Sequence, residues 1–212
     1  MARKPPVSKT AESPVANARA LRGVATRALI LDAAYAVLSE RGYSSTSVDE
    51  IATRAGVSRP TFYAYFPDKF AVTTGLSDRL EKEVLRGYRK LSAMGPAPSR
   101  AELTNWIAKR VAETQKQRSY IRIFGQASAA EPSFYKQSRA HRVSVYAMLG
   151  ETFPAFLAAA RDERGVMGVR AHMLFDQLEF VCSTLALGWD IDPLIAIEVM
   201  AEQIEHFINL GR

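Results

Sequence analysis

The residues of this chain best suited to chemistry lie in one short stretch, "VSRPTFYAYF" at 57–66. Arg59 carries a fork of donors that can bond two acceptors on one guanine edge, and Pro60 with the Thr61 methyl can touch a thymine methyl group. Ser58 adds a hydroxyl. Tyr63 and Tyr65 add phenols suited to a phosphate backbone, and Lys69, just past Pro67, adds an ammonium. This is the chemistry of recognition, not of bond breaking. The residue types that break bonds are scattered. His141, His172 and His206 match no metal spacing, and the pairs His172/Asp176 and Glu202/His206 read as ordinary i,i+4 surface contacts. Cys182 falls in an apolar run, where a buried, inert thiol is expected. No serine sits in a nucleophile elbow, and no glycine-rich phosphate loop occurs. The reading is not an enzyme, with no metal and no cofactor.

Those residues need a short helix aimed outward, and local signals supply one. With Ser58 as N-cap, Pro60 falls in the first turn, where its missing N–H has no helical partner in any case. Pro67 ends the helix. Upstream, "SVDEIATRAG" opens with Ser47 and Glu50 in capping-box spacing and stops at Gly56, which tolerates a left-handed backbone. Ala52 is small enough for two helices to cross closely. Phe62 and Phe66, four apart, are expected in the core, and Tyr63 with Tyr65 on the outer face. Before this pair, Ile30, Ala34, Val37 and Leu38 share one face of a helix that Thr26 can cap and Gly42 can stop. The pattern is a helix-turn-helix whose second helix enters a major groove. Each residue alone would also fit a plain core or a solvated surface; the spacing together favours DNA binding.

The stretch "TSVDEIATRAGVSRPTFYAYFPDKFAV", with "ILDAAYAVLSERGY" before it, resembles the N-terminal domain of the tetracycline-repressor (TetR) family of bacterial transcription regulators. The resemblance covers about residues 26–75; beyond residue 95 only helical character and total length agree. It implies an all-α chain, with a three-helix DNA-binding domain at 25–70 and a larger helical ligand-binding and dimerisation domain at 71–212. It also implies a homodimer through the last two helices and a small-molecule effector that lowers DNA affinity. By position in the motif, Thr46, Ser47, Ser58, Arg59, Pro60, Thr61, Tyr63, Tyr65 and Lys69 are the implied DNA contacts.

Charge sharpens the picture. Residues 1–27 hold six basic groups against Glu12 alone, so nearly all of the formal charge of +6 sits there. Residues 1–24 therefore read as a flexible basic arm, either a solvated tail or a tether for phosphates. Residues 28–69 carry no basic surplus, and Asp49 falls near where a phosphate would approach. A single cysteine, no apolar signal segment and no apolar run near 20 residues predict a soluble cytoplasmic protein without a membrane partner.

Past a break at "MGPAPS" (94–99), periodicity predicts helices at about 100–117, 119–130, 132–161, 167–189 and 193–209. Aromatic residues recur there. Trp106, Phe124, Tyr146 and Phe175 are candidate walls of an effector pocket, with Gln177 and Glu179 as polar handles. The apolar run Leu178–Trp189 is explained by a partner subunit covering it. The resulting expectation is a ligand-responsive repressor on a palindromic operator. The alternative is a helical DNA-binding protein without a small-molecule switch, in an architectural or activating role.

Overall fold

Short-range signals between residues 42 and 67 punctuate the chain as expected, with Ser47 and Gly56 bounding one short helix and Ser58 starting the next. A computed structural model describes residues 14–210, and among these every regular element is an α-helix. Helix α1 spans Pro14–Arg41, α2 Val48–Ala55, α3 Arg59–Tyr65 and α4 Lys69–Ser92. Then come α5 Arg100–Lys116, α6 Arg118–Ala130, α7 Ser133–Gly150, α8 Pro154–Arg161, α9 Val166–Leu187 and α10 Pro193–Asn209. No helix of the described residues is long and apolar enough to cross a membrane.

Two boundaries differ from the periodicity. Helix α1 begins twelve residues before Thr26, whose Oγ1 donates to the Arg22 carbonyl at 3.0 Å inside the helix instead of capping it. The segment 14–24, assigned to a flexible arm on composition, is thus helical, and the rest of that arm lies outside the described residues. The helix expected over 132–161 is two helices. Pro154 cannot donate and drives Phe153 into extended backbone, so α7 stops and α8 restarts at that proline. The two then fold back closely: a Cβ on Gly150 would lie 2.7 Å from the Leu157 Cα.

Burial divides the molecule into two cores joined by α4. The first gathers Ile30, Ala34 and Leu38 from α1, Ile51 and Ala52 from α2, Phe62 and Phe66 around α3, and Val72 and Leu76 from α4. Full burial of a side chain such as Phe62 stabilises the fold by roughly 1.5–3 kcal/mol. Ile123 and Ala127 of α6 and Phe134 of α7 complete this core, so it is not closed by the first four helices alone. The second core takes Tyr88 and Leu91 from the far end of α4 and packs them with α5 and α7–α10. Helix α4 thus contributes side chains to both cores.

Candidate nucleic-acid interface

The turn between α2 and α3 is built from caps. Ser47 Oγ accepts the Glu50 N–H, and Glu50 returns its carboxylate to the Ser47 N–H at 2.8 Å, which closes the capping box. Those bonds hold the Glu50 carboxyl below the usual range, the backbone bond contributing most. At the other end Gly56 takes φ 66°, a left-handed value that costs glycine little, and the Val57 N–H reaches the Ala52 carbonyl at 3.0 Å. Ser58 then caps α3: its Oγ accepts the Thr61 N–H at 3.2 Å and lies 2.8 Å from Thr61 Oγ1.

This geometry turns the first residues of α3 outward. Ser58, Arg59 and Pro60 are exposed, and Thr61 is half-buried behind them. Tyr63 is 45% exposed, while Phe62 and Phe66 are buried in the first core. Tyr65 is half-buried against that core, with its hydroxyl beside Gly23 of α1. Arg59 does not hang free. Its Nε lies 2.8 Å from Asp49 Oδ1 on α2, at 61% side-chain exposure, and it also bonds Tyr63. These partners raise the already high pKa of the guanidinium, the Tyr63 bond most. Asp49 thus orients the Arg59 guanidinium and would compete with any other acceptor for it.

Two residues in the expected set are turned inward. Thr46 is 4% exposed, and its Oγ1 donates to the Gly42 carbonyl at 2.7 Å. The Lys69 ammonium donates to the carbonyls of Tyr43 and Thr46 at 2.7 and 2.9 Å and sits 4.3 Å from the Tyr43 ring centroid. Both side chains staple the turn between α1 and α2 instead of presenting themselves at the surface. Ser47 is exposed, with its oxygen engaged in the cap. Two further arginines beside this turn are paired too: Arg41 with Glu50 and Arg54 with Glu40.

A second feature is a cavity of about 1080 Å³ between α4, α5, α6, α7 and α9. Of the six residues expected around a pocket, Phe124 and Glu179 line it. Trp106, Tyr146 and Phe175 are buried one layer behind, in the second core. Trp106 Nε1 donates to the Gly87 carbonyl at 2.9 Å, and Phe175 stacks on Tyr88. Aromatic periodicity marks the buried face of a helix and is blind to whether that face meets protein or space. Gln177 is exposed and outside the lining.

The lining also holds Arg142, His172 and Asp176, which lie outside the six expected residues. Arg142 bridges Asp176 and Glu179, the latter at 2.7 Å. His172 Nδ1 lies 3.1 Å from the Tyr146 hydroxyl, and its Nε2 is buried without a hydrogen-bond partner. Burial, then Arg139 and Arg142, push the His172 pKa down and favour the neutral ring. Among the described residues no group of His, Cys, Asp and Glu is arranged to hold a metal ion.

Comparison with known proteins agrees with this geometry. Residues 30–72 match the family described as bacterial regulatory proteins, tetR family. Over 75 residues the chain is 44% identical to the HTH-type transcriptional regulator EthR of Mycolicibacterium smegmatis, spanning 35% of each protein. It is 38% identical over 64 residues to the HTH-type transcriptional activator FasR of the same species, covering 30% of this chain and 29% of that one. These curated relatives are matched over about a third of their own length. The fold extends further: the TetR-family regulator SCO4454 from Streptomyces coelicolor superimposes with a TM-score of 0.58 over 95% of this chain and 97% of that one, at 20% identity.

Proposed function

We propose, on the premise that this chain belongs to the tetR family of bacterial regulatory proteins, that it is a ligand-responsive repressor binding a palindromic operator as a homodimer. The observation that carries the reading is the Ser58-capped start of α3, which holds Arg59 and Pro60 at the surface with Thr61 behind them. A helix presented by its N-terminal end is the form that reads base edges in a major groove. Tyr63 flanks it for the phosphate backbone.

Two further features support the remainder. Large apolar side chains stay exposed on and beside the last two helices, among them Phe180, Leu187, Trp189, Leu194, Ile195 and Val199. A second copy covering them would bury this surface and bring two reading heads to a separation of roughly 34–36 Å, one turn of DNA. Helix α6 supports the ligand response. It lines the cavity through Tyr120 and Phe124, and on its other side it bonds the end of α1 through Arg122 and Gln126. An effector that shifts α6 would thereby move the reading head, and a small, largely apolar compound fits such a wall.

The test is binding to the DNA upstream of the protein's own gene against scrambled DNA, titrated across salt. Preference that survives high salt, with a footprint of two half-sites one turn apart, is the expected result. Equal, steeply salt-dependent binding to both DNAs would contradict sequence reading at that site. A reporter placed behind the footprint separates repression from activation.

A further inference from the structure

The buried stripe of α5 runs Leu103, Trp106, Ile107 and Val111, and an arginine, Arg110, stands in the same stripe. Its guanidinium lies over two rings, 4.8 Å from the Tyr88 centroid and 5.9 Å from that of Trp106. Gly87 leaves the room: a Cβ there would come within 3.0 Å of Arg110 Nη1. Arg110 Nε is buried without a hydrogen-bond partner, and the residue lines the cavity.

Glu113 and Glu179 favour this cation only from beyond ion-pair distance. Among the described residues no carboxylate forms an ion pair with it. The acids lining the cavity are engaged elsewhere: Glu81 with His141, Glu163 with Arg139, and Asp176 and Glu179 with Arg142. Asp78 also has a partner of its own. Glu113, nearby at the surface, bonds Lys90. Burial pushes the Tyr88 phenol up to about 12 and raises the Cys182 thiol, so both neighbours stay neutral. A buried charge without a counter-ion is unfavourable, and cation–π contacts offset only part of that. Apolar side chains share the wall with it, among them Leu80, Val84, Tyr120 and Phe124.

We infer that the cavity takes an amphipathic monocarboxylate, an acid with an apolar body, and that Arg110 bonds its carboxylate. This rests on the reading of the cavity as the effector site. Arg164 of the lining is exposed to solvent, so among the described residues the one partly buried cation of the wall without an ion pair is Arg110, and it calls for one negative charge; a dianion would bring surplus charge toward Glu179 and Asp176. The volume of about 1080 Å³ exceeds the roughly 300–1,000 Å³ of ordinary ligand pockets, which leaves space for a long or ringed body.

The probes are two matched pairs, decanoate with decanol and phenylbutyrate with phenylbutanol, titrated calorimetrically into the full chain near neutral pH. At least one acid binds more tightly than its alcohol. Arg110→Met weakens the acid roughly ten- to a hundredfold, as loss of a charge-assisted hydrogen bond does, and leaves the alcohol unchanged. Arg110→Lys keeps a preference for the acid. Without ligand, Arg110→Met melts no lower than the wild type, since it removes an unpaired buried charge. Alcohols that bind as tightly as acids, or an Arg110→Met variant that keeps acid affinity, would overturn the assignment while leaving an apolar effector cavity standing. No binding by either pair overturns it as well. If a wider panel of apolar compounds also leaves the melting temperature unmoved, the effector reading falls with it.

Discussion

The Tyr43 N–H donates to Gln126 Oε1 at 2.7 Å, joining the turn after α1 to a helix 83 residues away. Gly42, at φ 83°, sets up this bond, because a Cβ there would fall 2.7 Å from the same oxygen. Arg122, one turn earlier on α6, donates to the Ser39 carbonyl at 2.8 Å. Lys69 closes the turn from the opposite side by bonding the Tyr43 and Thr46 carbonyls. The corner between α1 and α2 is therefore held by α4 and α6 together, and α6 is also a wall of the cavity.

Gln126→Ala removes the acceptor and leaves the Tyr43 N–H to find water in a half-buried corner. Unsatisfied buried donors cost about 1–3 kcal/mol, and partial exposure favours the low end. A stability loss near 1 kcal/mol, or a fall of about 2–4 °C in melting temperature for a chain of this size, is expected in calorimetry. DNA affinity without effector should change little, while any effector should release DNA less completely. A variant with full stability and full release would show that this bond carries no coupling.

Arg59 and Asp49 make an opposed pair of predictions at the interface. Arg59→Ala should lose about 1–3 kcal/mol on the true operator and relax preference at one base pair. Asp49→Asn removes a negative charge beside the groove and loosens the 2.8 Å tether on Arg59. It should strengthen binding to unrelated DNA and narrow the gap between operator and non-operator affinity. Competition binding against both DNAs measures each effect; an unchanged ratio in both variants would remove Arg59 from the reading surface.

What was legible in the sequence was the part fixed by neighbours. Ser47 with Glu50, Gly56, and Ser58 with Pro60 act within a few residues of themselves, and so α2, α3 and their turn are where those signals put them. Long-range choices were hidden. Lys69 reads as a phosphate ligand until the fold brings the Tyr43 and Thr46 carbonyls to its ammonium. Trp106, Tyr146 and Phe175 read as pocket walls because core and cavity have the same periodic signature, and only packing separates them. Two further local signals stand in the sequence. The Phe153–Pro154 step marks the break between α7 and α8. Arg110, in step with Leu103, Trp106 and Ile107, is a charge at a core position.

His172 gives the chain a defined pH response. Burial lowers its folded pKa below the ordinary 6.5, so the unfolded chain takes up this proton first. The corresponding stability is present above about pH 6.5 and is lost as pH falls through the folded value. His172→Gln, which cannot titrate, should lose less melting temperature between neutral and mildly acidic pH than the wild type does. Parallel melting curves for the two proteins across that window would refute the assignment.

The exposed apolar surface of α9 and α10 predicts self-association. Phe180 and Ile195 are 57% and 64% exposed, and Phe180 meets the Trp189 ring edge-on at 5.9 Å. Ile195→Asp puts a charge where a partner would bury it, so light scattering should report a monomer for the variant and a dimer for the wild type. Operator affinity should fall with the loss of the second head. A wild-type monomer at micromolar concentration would leave this face to some other partner.

The basic N-terminus tests where phosphate affinity resides. Between Asp32 and Asp68 the arginines of the head are paired with carboxylates, and Lys69 is bonded to backbone, so this surface offers few free cations. Deleting residues 1–22 removes Arg3, Lys4, Lys9, Arg19 and Arg22. Each phosphate that is no longer neutralised should flatten the slope of log K against log salt by roughly 0.9. The deletion is therefore expected to weaken operator and scrambled DNA alike, leaving their ratio nearly intact, whereas Arg59→Ala changes the ratio and barely moves the slope. If the slope survives the deletion, these cations are solvated and the phosphate affinity must come from the helices, with the Asp49–Arg59 pair opening on DNA to supply part of it.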